Sequence, residues 1–127
     1  MLEILAVDDE RPNLETIRRV FRRKFEVSMA LSGEEGLALL GGRLFDVALV
    51  DYSMPGMNGL CFAAQARRVQ PDLPILIVTG YGDRPELSVA VDEGLCIGVL
   101  AKPWSPAELE ALVLRHARAR ALAEPLR

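Results

Sequence analysis

Five polar side chains stand where an apolar run stops. Asp8 and Asp9 follow Leu2 to Val7, Asp51 follows Val47 to Val50, Thr79 follows Pro74 to Val78, and Lys102 follows Cys96 to Ala101. Carboxylates gathered at one place repel and raise each other's pKa unless a cation compensates. Magnesium suits such a set: it takes a few carboxylate oxygens, keeps several waters and completes its octahedron with phosphate oxygens. A lysine beside the acids either neutralises one of them or holds a phosphoryl oxygen as a point charge. A threonine hydroxyl can donate to the same oxygen. This inventory suits phosphoryl transfer, in which positioning and charge neutralisation supply most of the catalysis. A carboxylate can itself be the nucleophile and form an acyl phosphate. Asp51 is the candidate, being the single acid on what reads as the central strand, with Asp8 and Asp9 left to hold the metal. Any one of these acids could merely cap a helix or end a strand, but that reading weakens when all five groups share one kind of position.

The elements that must position them are legible from periodicity. Val47 to Val50 is a short apolar run of the length of a strand buried on both faces. Ser53, Pro55, Gly56, Asn58 and Gly59 then take the chain out of the sheet. Five apolar runs alternate with helical patterns, which implies a parallel α/β sheet. Parallel strands deliver their carboxyl ends to one edge, where open sheets of this kind bind ligands.

Between the runs, Pro12 opens a first helix whose apolar positions Leu14, Ile17, Val20 and Phe21 extend the pattern to about Lys24. Its other face carries Arg18, Arg19, Arg22, Arg23 and Lys24: a solvated face, or a docking surface for an acidic partner. Phe25 to Ala30 alternates as a second strand. Ser32 with Glu35 reads as a capping box, and Gly41-Gly42 ends that helix. A third helix runs from about Gly59 to Val69. A fourth starts at Pro85 and closes at Gly94. Ser105-Pro106-Ala107-Glu108 is a strong start for a fifth. From Arg115 to Arg127 the chain grows basic and loses its apolar period, and is expected to fray or to lead into a linker.

Composition narrows the field. A chain of 127 residues, half hydrophobic and 26% charged, fits one globular domain. A formal net charge of −3 gives no reason to expect nucleic acid as a direct partner. No apolar run approaches the roughly 18 residues of a membrane span, and the acidic start of the chain does not resemble a signal peptide. The cytoplasm is the expected location. Cys61 and Cys96 lack both disulfide density and metal-ligand spacing, and are expected to be small buried thiols.

Four motifs together resemble the response-regulator receiver domain of bacterial two-component signalling. They are Val7-Asp8-Asp9-Glu10, the run from Asp51 through Met54-Pro55 to Gly59, Thr79-Gly80-Tyr81-Gly82-Asp83, and Lys102-Pro103-Trp104. Ala30 to Glu35 and the stop at Gly94 also match. The resemblance spans residues 2–120, which implies a receiver domain over 1–120 and a tail or linker over 121–127.

It further implies an α/β, flavodoxin-like three-layer sandwich, with a five-stranded parallel sheet in order 2-1-3-4-5 and five helices. A sensor histidine kinase or a phosphotransfer protein would donate a phosphoryl group to Asp51. Asp9, Asp51 and the backbone carbonyl of Ser53 would bind Mg2+ directly, with Asp8 acting largely through a water. Thr79 would move toward the phosphoryl group and Lys102 would pair with it. The face of the fourth helix, fifth strand and fifth helix would then repack and change its downstream partner. Such a domain is a regulatory phosphoacceptor, whose only chemistry is its own phosphorylation and dephosphorylation. In the family, homodimers through the fourth and fifth helices are common.

One position departs from the pattern. The family usually places Tyr or Phe three residues before the lysine, and that ring rotates inward on activation; here the residue is Val99. Signalling then runs through Thr79, the fourth helix and Tyr81, or coupling is weak. Ser53 and Tyr81 are expected to flank the path of the hydrolytic water and tune phosphoryl lifetime. His116 is expected to face solvent, far from the acids.

Rival readings are weaker. An aspartyl-phosphate hydrolase of the haloacid-dehalogenase type needs a second acid two residues after the nucleophile, and Ser53 stands there. A flavin-binding flavodoxin needs a hydroxyl- and glycine-rich loop after the first strand, where Asp8-Asp9-Glu10 would repel phosphate. The chain carries no output module of its own, so an output protein, or an enzymatic or DNA-binding domain of a longer regulator, must receive the signal.

Overall fold

Apolar and β-branched runs make five strands: β1 (Leu2–Val7), β2 (Phe25–Ala30), β3 (Val47–Asp51), β4 (Ile75–Thr79) and β5 (Gly98–Ala101). The structure, a computed structural model, describes residues 1–80 and 84–123, with side chains through residue 117. All strand pairs are parallel and the order is β2-β1-β3-β4-β5, as the resemblance implied. The helices between them are α1 (Arg11–Phe21), α2 (Gly33–Gly42), α3 (Gly59–Val69), α4 (Pro85–Asp92) and α5 (Pro106–Ala123).

Alternation along the central strands sends side chains to two separate cores. Leu5, Val7, Ala48 and Val50 meet Leu40, Phe62, Ala66 and Leu87 beneath α2, α3 and α4. Ile4, Ala6, Val47 and Leu49 meet Leu14, Ile17, Leu109 and Val113 beneath α1 and α5. With helices on both faces, β3 and β4 are buried along their whole length.

Local signals behave as their chemistry demands. Ser32 Oγ accepts from Glu35 N at 3.1 Å, while Glu35 Oε1 accepts from Leu31 N at 2.8 Å. Ser105 Oγ caps α5 through Glu108 N at 3.1 Å. Asn58, expected only as a turn former, caps α3 through Cys61 N at 2.9 Å.

Three boundaries differ from expectation by two residues or more, and β4 runs Ile75–Thr79 where Pro74 to Val78 was expected. Helix α1 ends at Phe21 rather than near Lys24, because Lys24 N turns back to Phe21 O and its side chain pairs with Glu110 at 2.7 Å. β5 begins at Gly98, not Cys96. Helix α5 persists through Ala123 instead of fraying after Arg115; buried Ala117 continues the i, i+4 stripe of Leu109 and Val113. Residues 124–127 of the expected tail lie outside the described residues.

Candidate functional site

The sheet order reverses between β1 and β3, and beyond their carboxyl ends Asp8, Asp9, Asp51 and Lys102 gather, with Thr79 at the end of the neighbouring strand. Backbone pairing holds four of the five, Asp8, Asp51, Thr79 and Lys102. Asp8 N extends the β1–β2 ladder to Ala30 O at 3.1 Å. Asp51 is the last residue of β3, and the next amide, Tyr52 N, donates to Val78 O at 2.9 Å. Thr79 ends β4 with 1% exposure, and its carbonyl accepts from Lys102 N at 2.8 Å. The Lys102–Pro103 peptide is cis.

Side chains then converge. Lys102 Nζ donates to Asp51 Oδ1 at 2.7 Å and lies 4.0 Å from Asp8 Oδ2. Asp8 Oδ1 accepts from Glu10 N at 2.9 Å, and Oδ2 accepts from Asn13 Nδ2 at 3.0 Å. Carboxylate oxygens of Asp8, Asp9 and Asp51 lie within 4.8 Å of one another; Asp8 and Asp51 are buried and Asp9 is exposed. A cavity of about 590 Å³ opens beside them, with Asn13, Thr16, Lys102 and Trp104 in its wall.

Electrostatics point the same way. Burial pushes the Asp8 carboxyl above its ordinary value, overcoming hydrogen bonds from Glu10 N and Asn13, and the charge of Asp51 adds to the rise. Burial likewise raises Asp51, although Lys102 opposes it. Desolvation pulls Lys102 down, but the hydrogen bond and charge of Asp51, with Asp8 and Glu10, leave it raised. Two buried carboxylates whose ionisation one lysine does not fully stabilise form a good donor set for a hard divalent cation.

Glycine is required where α3 abuts β3. A Cβ on Gly59 would lie 2.8 Å from Asp51 O and 3.0 Å from Tyr52 Cα, and Gly59 N donates to Tyr52 O at 2.9 Å. Helix α3 therefore presses on the strand end that carries Asp51.

Ser53 stands exposed in the loop after Asp51, and Val99 is half-buried on β5. Tyr81, with Gly82 and Asp83, lies outside the described residues. His116 is half-buried rather than solvent-facing, and burial lowers its pKa. Cys96 is buried as expected, but Cys61 is exposed, because α3 turns Phe62, Ala63 and Ala66 inward. Two features escaped sequence reasoning. Asn13, an amide in the first turn of α1, could have been flagged by its spacing of five residues from Asp8. Tyr52, the residue after Asp51, reaches α4: its hydroxyl donates to Glu86 Oε2 at 2.6 Å.

The family profile described as "Response regulator receiver domain" matches residues 4–114. The hydrogenase transcriptional regulatory protein HoxA of Bradyrhizobium diazoefficiens is 33% identical over 106 residues, covering 84% of this chain and 22% of that protein. The cyclic di-GMP phosphodiesterase response regulator RpfG of Xanthomonas campestris is 36% identical over 115 residues, covering 87% of this chain and 30% of that protein. The chain thus spans about a fifth to a third of these relatives' length. Among solved structures, a CheY-like receiver domain protein from Methanospirillum hungatei superposes with a TM-score of 0.88 at 27% identity, covering 97% of this chain and 98% of that one. The response regulator TrrA of Thermotoga maritima, solved with Mg(2+)-BeF, gives a TM-score of 0.78 at 27% identity over 91% of this chain and 98% of that one.

Proposed function

This chain belongs to the response regulator receiver domain family, and from that premise we propose that Asp51 accepts a phosphoryl group from a sensor histidine kinase or a phosphotransfer protein. The observation that carries this reading is the pairing of Lys102 Nζ with Asp51 Oδ1 at 2.7 Å inside a three-carboxylate cluster at the sheet's switch point. The family is regulatory, and the chain acts as a phosphoacceptor rather than on exogenous substrates; Ser53, where a hydrolase would need an acid, fits that role.

Asp8, Asp9 and Asp51, with the backbone carbonyl of Ser53, would hold magnesium, which when bound neutralises these carboxylates and the phosphoryl oxygens. Lys102 engages Asp51 Oδ1 and leaves the second oxygen to attack phosphorus. A new O–P bond forms as the P–N bond of the donor phosphohistidine breaks, its electron pair returning to the imidazole. Lys102 then pairs with the transferred group and the Thr79 hydroxyl donates to it. Asn13 and the Glu10 amide hold both oxygens of Asp8 and so orient a metal carboxylate. Ser53 and Tyr81, two residues after Asp51 and Thr79, tune the survival of the acyl phosphate.

The receiver unit is assigned residues 1–120, a boundary that falls within the last turn of α5, with 121–127 a tail or the start of a linker. It signals through the face of α4, β5 and α5 to an output protein or to an output domain of a longer chain, as the names and lengths of HoxA and RpfG suggest. We place it in the cytoplasm; among the described residues no helix is long and apolar enough to cross a membrane.

The test is incubation with acetyl phosphate and magnesium, followed by intact-mass measurement. Wild type gains one phosphoryl group and Asp51→Asn gains none. Equal labelling of the variant, or labelling indifferent to magnesium, overturns the assignment.

A further inference from the structure

Helix α4 is lightly held. Of its eight residues only Leu87 and Ala90 are buried. Under it a cavity of about 300 Å³ opens between Leu87, Val91, Gly98 and Val99. On β5 this space is lined by Gly98 and by Val99, which packs against the core that holds Leu87 and Ala90 but carries no ring.

The first turn is different. Tyr52 O–H donates to Glu86 Oε2 at 2.6 Å. The Arg84 guanidinium lies over the Tyr52 ring, 5.2 Å from its centroid, and Arg84 Nη1 is 3.7 Å from Glu86 Oε2. One phenol thus carries both residues that frame the start of α4: Arg84 at the N-cap and Glu86 in the first turn. Its own backbone cannot drift, because Tyr52 N is bonded to Val78 O and Tyr52 O to Gly59 N, each at 2.9 Å. Tyr52 is 8% exposed and belongs to the core beneath α2, α3 and α4.

Tyr52 is also bonded directly to Asp51. Phosphorylation adds roughly one further negative charge and a bulky group at Asp51. The peptide it disturbs first continues into a side chain that is rigid, buried and fixed to the helix at its far end. We propose that Tyr52 transmits the state of Asp51 to α4, through its hydrogen bond to Glu86 and its stacking with Arg84. This rests on Asp51 being the phosphoacceptor and names the route out of that site. It gives the chain a coupling residue on the β3 side of α4, beside a β5 position, Val99, that carries no ring.

The experiment pairs two measurements on wild type, Tyr52→Phe and Glu86→Ala. Intact mass after acetyl phosphate and magnesium reads uptake at Asp51. Hydrogen–deuterium exchange with and without magnesium and beryllofluoride reads the amides of residues 85–92. Tyr52→Phe keeps the ring, and Glu86 is exposed, so both variants fold. In wild type, α4 exchange shifts about five-fold or more; in both variants that shift falls below about two-fold while uptake stays within about two-fold of wild type. An α4 response in the variants equal to wild type overturns the inference, as does a wild-type α4 indifferent to beryllofluoride while Asp51 is labelled. Absence of uptake by wild type is a separate result: it removes the phosphoacceptor reading and this inference with it.

Discussion

Lys102 Nζ sits 2.7 Å from Asp51 Oδ1 and 4.0 Å from Asp8 Oδ2, so one ammonium is shared by two buried carboxylates. That geometry gives the lysine two separable jobs. It neutralises Asp51 before phosphorylation, and it offers a point charge to the phosphoryl group afterwards. Lys102→Met removes a cation that competes with magnesium for Asp51, so magnesium binds the variant at least as tightly as wild type. Phosphoryl uptake nevertheless falls roughly 100-fold, the scale of losing one preorganised charge donor. Trp104 is the only tryptophan, half-buried in the wall of the same cavity, and its fluorescence follows the magnesium titration. Intact mass follows uptake. Undiminished uptake would confine Lys102 to neutralisation.

The acid cluster sets a pH dependence whose sign follows from burial. Asp8 and Asp51 titrate in the folded chain above the ordinary 3.8, so the fold holds these protons more tightly than the unfolded chain does. Their favourable contribution is complete below about pH 3.8 and is lost as pH rises through the raised values. At pH 7, without a divalent cation, both carboxylates work against the fold. Asp51→Asn therefore raises the thermal midpoint of metal-free protein at pH 7, and the gain shrinks toward pH 4. Magnesium raises the wild-type midpoint more at pH 7 than at pH 4.5. Melts in EDTA and in magnesium across this range check both statements; a variant that melts lower than wild type at pH 7 would refute the first.

The same residues mark how far the sequence could be read. Strand ends were legible because parallel pairing is rigid: Asp51 stands opposite Val78 and Thr79 opposite Ala101, so the apolar runs were enough to bring Asp8, Asp9, Asp51 and Lys102 together. What stayed hidden depends on side-chain direction between elements. The reach of Tyr52 to Glu86 depends on how α4 packs beside the end of β3, which no periodicity encodes. Asn13 looks like any exposed amide in a first turn until α1 packs and brings it to Asp8. Cys61 sits between apolar Leu60 and Phe62, and only the phase of α3 turns it outward. Ala117 was too small an apolar signal, among arginines and alanines, to announce that α5 continues.

The contact between α3 and the end of β3 yields the prediction most specific to this geometry. At Gly59 an added Cβ would meet Asp51 O at 2.8 Å, Tyr52 Cα at 3.0 Å and Asp51 C at 3.3 Å. All three are backbone atoms, so no rotamer change relieves the clash; either α3 backs away or the strand end carrying Asp51 shifts. Overpacking of this kind costs about 1–3 kcal/mol. Gly59→Ala therefore lowers the thermal midpoint by several degrees, and because the displaced atoms belong to Asp51 and Tyr52 it slows phosphoryl uptake as well. Gly41→Ala is the matched control: it lies in α2 with nothing within 4 Å of the new Cβ, and replacing an exposed helical glycine by alanine stabilises by up to about 1 kcal/mol. Melting curves and uptake rates for the two variants separate a local effect at the site from a general intolerance of larger residues. If Gly59→Ala loses stability but labels at the wild-type rate, the strand end is more firmly fixed than the helix that presses on it.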